Sequence, residues 1–336
     1  MTLPPVMLAP FAPRLGFDNY SVRALGWKAG QVLRHAAALQ LDAVLLSDFD
    51  VYESLTDSYL CDLKRLADDL GIQLYAGMLS ICPSSVIFDP RRGLAESQLR
   101  LCLRVARLLG SPVARCVLGK VEDRRSPGGI NARIAETIAV LRAVRAEAMD
   151  AGIKIAVENH AGDMTSIELL ELIDAAGRDF VGATLDTGNA LWALEEPMQA
   201  LETLGPVTVC TGVRDSHLWE TPEGATLQWT YVGAGLVDWA AFFRRFAELC
   251  PQAPVIIETI SGRPIFLPML RGCFWDAYPR ATPATLAALL RLARTGGPRE
   301  PFNAPAGAEG ERATQQLQLA ELEHSVRFCR KVLARS

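Results

Sequence analysis

The sequence predicts one closed (β/α)8 barrel, an α/β TIM barrel, followed by a C-terminal helical extension. Three observations lead there. Strand-like runs rich in β-branched residues alternate with helical stretches of ten or more residues, the pattern of a parallel sheet with right-handed crossovers. Eight such units can be placed along the chain, enough to close the sheet on itself. Four successive late runs each end on acid or imidazole, and the carboxyl ends of barrel strands are where functional groups collect. A doubly wound open sheet is the fallback, but no Gly-rich phosphate fingerprint follows the first strand.

Composition agrees and excludes several classes. The chain has 336 residues, 50% of them hydrophobic, which suffices for one large core. A net charge of −4 lacks the basic footprint of a nucleic-acid binder. No apolar run reaches membrane-spanning length, and the first residues lack a basic start and a continuous apolar segment, so neither a membrane span nor a signal peptide is expected. The 8 cysteines are scattered, with no Cys-x-x-Cys pair, which fits a reduced cytoplasmic setting.

The elements follow in order. Residues 4–13 are apolar and punctuated by proline, with a first strand expected at 6–8. A helix is expected over 29–39, and a second strand, LDAVLLS, over 41–47. The amphipathic helix 57–70 is closed by Gly71. A third strand, 72–79, precedes the loop ICPSSVIFDP. Helix 91–109 is closed by Gly110, and the fourth strand is 112–118. A long helix over 130–151 carries Ile134, Ile138, Leu141 and Ala148 on one stripe and is closed by Gly152. The fifth strand is IKIAVENH, 153–160, with Ile153, Ile155 and Val157 before Glu158. Helix 166–176 is capped by Thr165 or Ser166. The sixth strand, VGATLD, ends on Asp186; the seventh, VTVCTGVRD, ends on Arg214 and Asp215; the eighth, VIIE, ends on Glu258.

Two connections are long. Residues 217–239 contain Trp219, Trp229 and Trp239, and residues 261–280 are rich in Pro, Arg and aromatics. Both leave the carboxyl ends of strands, where long loops build a pocket. Residues 296–312 read as a linker between the barrel, 1–295, and a terminal helix, 313–336. Leu319, Leu322, Val326, Cys329 and Leu333 repeat at helical spacing there. That stripe needs a partner, either the barrel wall or a second subunit in a homo-oligomer.

Glu158, Asp186 and Glu258 at strand ends, with His217 nearby in sequence, have the composition of a divalent-metal site. Mixed oxygen and nitrogen ligation without sulfur suits Mn²⁺ first, with Mg²⁺ or Co²⁺ as alternatives. A cation would also relieve the repulsion among clustered acids. The competing reading is an ion-pair network with Arg214, Arg263 and Arg271.

The stretches VENH (157–160), LDTGN (185–189), VRD (213–215), VGAGLVDW (232–239) and IIET (256–259) stand in one order along the barrel. In these the chain resembles the sugar phosphate isomerase/epimerase family with a xylose-isomerase-like barrel, which includes ketose 3-epimerases and inosose dehydratases. The resemblance implies metal ligation by Glu158, Asp186 and Glu258, with Glu158 and Glu258 also serving as acid and base. It departs in the seventh strand. The family's His-x-Lys-Asp aligns with Gly212, Val213, Arg214 and Asp215, so no imidazole stands at the third ligand's place. His217 is expected either to swing back to the metal or to touch substrate. His160, Asn189 and Arg214 are expected to contact substrate, with a structural role for His160 and helix capping for Asn189 as the alternatives. The implied activity is a metal-dependent sugar or keto-sugar isomerase or epimerase acting through an enediolate. A dehydratase on the same site, or a non-catalytic sugar-binding barrel, is the alternative. Metal-dependent phosphodiester cleavage is disfavoured by the presence of only 4 histidines and the acidic balance.

Overall fold

The computed structural model describes residues 11–335. Its strands are β1 (Leu15–Asp18), β2 (Ala43–Leu46), β3 (Gln73–Ser80), β4 (Val113–Val117), β5 (Lys154–Glu158), β6 (Val181–Asp186), β7 (Thr208–Gly212), β8 (Asp215–Thr221), β9 (Gly224–Thr230), β10 (Val255–Ile257) and β11 (Pro264–Leu267). The strand expected at 6–8 lies outside the described residues. β1, LGFD, takes the first place in the barrel, although no strand was expected there.

Eight strands run parallel in the order β10-β1-β2-β3-β4-β5-β6-β7. A parallel bridge between Val213 and Ile257 brings the two edges together. The structure is a TIM barrel. Ala43, Leu45, Tyr75, Val113, Ala156, Cys210 and Ile256 fill its interior as one apolar layer. The larger core lies between the barrel's outer face and the helices.

The helix expected over 130–151 is two, Gly129–Ala143 and Arg145–Ala151. They break at Val144, which leaves helical geometry at φ −116°, ψ 11°. The apolar stripe runs on across the break, so periodicity alone does not reveal it.

The connection expected as a long loop at 217–239 is largely the β8–β9 hairpin, which β11 joins in a second, antiparallel sheet. Gly224 sits in this sheet at φ +151°, and a Cβ there would lie 2.1 Å from the carbonyl oxygen of Leu267. Only glycine meets both conditions. The sheet has its own core, including Leu218, Leu227, Leu267, Phe274 and Leu289, the last from the helix Pro283–Ala293. This small layer stands on the carboxyl-end side of the barrel because it is built from the insertions that follow β7 and β10.

The terminal helix is Gly307–Leu333. Leu322, Val326 and Cys329 enter the main core, so the stripe covers the barrel wall. Its neighbours are the helix Trp239–Leu249 and the short helix Asn19–Leu25.

Candidate active site

Alternation along the strands builds the site. Val113, Ala156 and Ile256 point into the barrel. Two residues on, Arg115, Glu158 and Glu258 share those faces, one level nearer the carboxyl ends. Asp18 ends β1 and Asp186 ends β6. Glu158, Asp186 and Glu258 bring carboxylate oxygens within 4.8 Å of one another, and all three side chains are buried.

Two arginines are bound into this cluster. Arg115 donates from Nε to Glu158 Oε2 at 2.7 Å, with Nη2 of the same guanidinium at 2.5 Å from that oxygen. Its Nη1 donates to the carbonyl of Met78 at 3.2 Å. Arg214 donates from Nε to both oxygens of Asp186 at 3.1 Å. Its Nη2 donates to Asp186 Oδ2 and, at 3.0 Å, to Glu258 Oε2.

The polar residues around the acids hold them in place. The Asn159 side chain donates to the Asp186 carbonyl at 2.9 Å and accepts from the Asp186 amide at 2.8 Å. Asp186 caps the helix Thr187–Trp192 by accepting from the Asn189 amide at 2.8 Å. The Asn189 side chain donates to Glu158 Oε1 at 3.3 Å, so this residue both sits in the cap and holds a site carboxylate.

The electrostatics leave a surplus of negative charge. Asp18, Glu158, Asp186 and Glu258 face Arg115 and Arg214, all six side chains buried. Burial, with the Glu258 charge second, pushes the Asp18 carboxyl up to about 8. Burial also pushes Asp186 up to about 8, against the pull of Arg214. Burial raises Glu158 as well. Burial works against ionised Glu258, but Arg214 and Arg115 together hold it below the ordinary range. Two protons would balance four acids against two guanidiniums, and so would one divalent cation. The oxygen donors of Glu158, Asp186 and Glu258 suit such an ion. The residues therefore fit a divalent metal, although no imidazole joins them.

The two histidines differ in placement. His160 donates from Nδ1 to the Gly119 carbonyl at 2.6 Å, which leaves Nε2 as its acceptor. Burial and the Arg115 charge lower its pKa to about 4, so the ring is neutral. His217 lies on β8 opposite Gln228 and is not in the carboxylate group. It lines a cavity of about 460 Å³ with Trp229 and Arg299. A cavity of about 600 Å³ shares Ser261, Gly262, Phe302 and Glu321 with it and reaches Thr259, next to Glu258. Together they form a cleft beside the second sheet and the terminal helix, and the carboxylates themselves stand behind its lining.

Asp18 and Arg115 are neighbours of the cluster that sequence reasoning left out, whereas Trp229, over Arg214, comes from the connection expected to build the pocket. Arg115 had a signal, a lone charge inside the apolar strand VARCV. Asp18 ends its strand as the other acids do, but LGFD is only four residues long and carries no β-branched residue to mark it as a strand.

Residues 33–293 match the family described as a xylose isomerase-like TIM barrel. Over 198 residues, 58% of this chain, it is 28% identical to the 3-oxo-isoapionate decarboxylase of Pectobacterium atrosepticum, and the match spans 64% of that protein. In structure it is similar to a D-psicose 3-epimerase from Clostridium cellulolyticum solved with D-tagatose, at TM-score 0.58 and 17% identity, covering 95% of this chain and 99% of that one. A xylose isomerase-like TIM barrel protein from Mycobacterium smegmatis, solved with magnesium, gives TM-score 0.57 and 15% identity over 85% and 100%. At such identities the structural likeness speaks for the fold. The family match extends over most of the chain, and with it the chain belongs to the xylose isomerase-like TIM barrel family.

Proposed function

We propose that the protein is a metal-dependent enzyme that moves a proton next to the carbonyl of a sugar or keto-sugar, through an enediolate, as an isomerase or epimerase. The observation that carries this reading is the meeting of Glu158, Asp186 and Glu258 within 4.8 Å at three strand ends. These three would hold the metal, with Mn²⁺ first and Mg²⁺ or Co²⁺ as alternatives. When bound, the ion supplies polarisation of the substrate carbonyl. Glu158 and Glu258 take and return the proton. Asn189 and His160 orient hydroxyl groups, His160 as an acceptor at Nε2. His217, set apart in the cleft, is read as a substrate contact. The ligand is a small molecule, and eight free cysteines support a cytoplasmic setting.

A second reading is loss of a carboxylate carried on the carbon beside the same carbonyl, or of a β-hydroxyl. The match to a decarboxylase of a 3-oxo acid favours it. Breaking the bond to the carboxylate leaves its electron pair on the adjoining carbon, and the site then returns a proton there.

The test is an assay of ketoses and 3-oxo sugar acids in D₂O. Deuterium beside the carbonyl without CO₂ release supports isomerisation or epimerisation, and CO₂ release supports the second reading. Glu158→Gln and Glu258→Gln should each lower turnover by roughly 10²–10⁴-fold, the usual worth of an acid–base group. A near-wild-type rate in either would remove that residue from the mechanism.

A further inference from the structure

The seat of Arg214 is built with unusual care for an ion pair. Its stem lies over Gly188, where a Cβ would come within 2.3 Å of the Arg214 Cγ. Its backbone is pinned on both sides by one hydroxyl: Thr187 Oγ1 donates to the Arg214 carbonyl at 2.6 Å and accepts from the Arg214 amide at 3.0 Å. The Trp229 ring lies over the guanidinium, 4.3 Å from its central carbon, and the indole nitrogen donates to the Gly188 carbonyl at 2.9 Å. Gly212 clears the other side, since a Cβ there would lie 2.8 Å from Asp186 Oδ2. Slot, pin and roof fix the guanidinium in one orientation.

In that orientation its donors are unevenly used. Nε and Nη2 are spent on Asp186 and Glu258. Nη1 is enclosed and has no hydrogen-bond partner among the described residues. The guanidinium is planar, so Nη1 turns away from the carboxylates that hold the other two nitrogens. A buried donor without a partner is costly, and native structures keep few of them. Asn189 Oδ1, on the side chain that also holds Glu158, is likewise buried without a partner among the described residues. Trp229 lines the cleft, so a single indole ring separates it from the guanidinium.

We infer that Arg214 is a catalytic residue that serves as an electrophile beside Gly212, where the third ligand's imidazole is missing. Its free Nη1–H donates to the substrate oxygen on which negative charge grows as the enediolate forms. The inference rests on the enediolate reading above. A fixed donor aimed at developing charge acts more strongly in a water-excluded site than in water. The sequence separation fits as well. Arg214 follows Gly212 by two, so both face the barrel axis.

The test uses glycolohydroxamate, an anionic mimic of an enediolate, titrated calorimetrically into the full-length protein loaded with Mn²⁺. A separate Mn²⁺ titration reads the carboxylates. Arg214→Lys keeps a positive charge beside Asp186 and Glu258 but loses the second arm. Gly188→Ala keeps the arginine and forces it from its seat, and serves if Arg214→Lys does not fold. Each should weaken hydroxamate binding by about 10²-fold, the usual cost of one oxyanion donor, with Mn²⁺ affinity changed far less. Hydroxamate binding that survives in a folded variant overturns the assignment of Arg214 alone. Equal loss of hydroxamate and Mn²⁺ affinity also overturns it, because Arg214 would then only position Asp186 and Glu258. No hydroxamate binding to the wild-type protein overturns both the assignment and the enediolate reading.

Discussion

A Cβ at Gly212 would lie 2.8 Å from Asp186 Oδ2 and 3.3 Å from Glu258 Oε2. Gly212→Ala therefore pushes on two proposed ligands at once. We expect Mn²⁺ affinity to fall by roughly 10–100-fold, as when support around a ligand set is disturbed, with the fold retained. Calorimetric titration checks this, and unchanged affinity would mean that the carboxylates have slack. His217→Ala should leave Mn²⁺ affinity unchanged and raise KM, because the ring lines the cleft and stands outside the carboxylate group. A loss of metal affinity there would return His217 to the ligand set. Glu158, Asp186 and Glu258 were legible because each closes an apolar run at the end where charge has a use. Arg115 was not, since one charge inside a strand looks like an interruption until the barrel supplies its partner on β5. The orientation of Arg214 was equally hidden. It depends on Gly188, Thr187 and Trp229, which only the folded chain brings together.

At the scale of elements, the connection after β4 is tied to its neighbours through Arg124. It donates to both oxygens of Glu168, at 2.8 and 2.9 Å, and thereby grips the helix Ser166–Ala176. It also donates to the Asp163 carbonyl at 2.6 Å and the Ala277 carbonyl at 2.9 Å, and its guanidinium stacks 4.3 Å from the Tyr278 ring centre. Arg124→Met would leave a buried carboxylate unpaired. We expect a loss of about 3–5 kcal/mol in urea unfolding at neutral pH. Burial opposes ionised Glu168, yet Arg124 holds its pKa below the ordinary 4.5. A depressed carboxylate stabilises the fold above its unfolded value and stops doing so as pH falls through the folded one. The gap between variant and wild type should thus narrow as the pH is taken below 4.5. A gap independent of pH would mean that Arg124 acts through packing alone. The helix Ser166–Ala176 was legible, with Thr165 capping it by accepting from the Glu168 amide. The β8–β9 hairpin was not. β9 is buried at six of its seven residues and β8 at four of seven in no alternating order, so the period of two that marks a half-exposed strand never appears.

For the molecule as a whole, the barrel's alternation of strands and helices was plain in the sequence, whereas the place of the last helix was left between two choices. A stripe of Leu322, Val326 and Cys329 states that an apolar partner exists but not which one. The structure supplies it, together with polar anchors that periodicity cannot show. Gln318 Oε1 accepts from the Ala24 amide at 2.9 Å, the Gln315 side chain donates to the Ala24 carbonyl at 3.0 Å, and Ser325 Oγ accepts from the Val232 amide at 3.1 Å. Ser261 donates to Glu321 at 2.5 Å, which joins the same helix to the rim of the cleft. The helix thus belongs to the fold around the cleft, and none of its residues stands among the carboxylates. Leu322 is fully buried in the main core. Leu322→Ala should cost about 2–5 kcal/mol, the range for emptying a leucine's space in a packed interior. Removing residues 307–336 should abolish the cooperative thermal transition, since it strips the barrel wall between two neighbouring helices. Calorimetry of the two variants beside the full chain separates the possibilities. A truncated protein that still melts cooperatively near the full-length midpoint would make the helix an accessory. One that unfolds, while Leu322→Ala melts lower and keeps its turnover at low temperature, would place the helix in the fold and outside the chemistry.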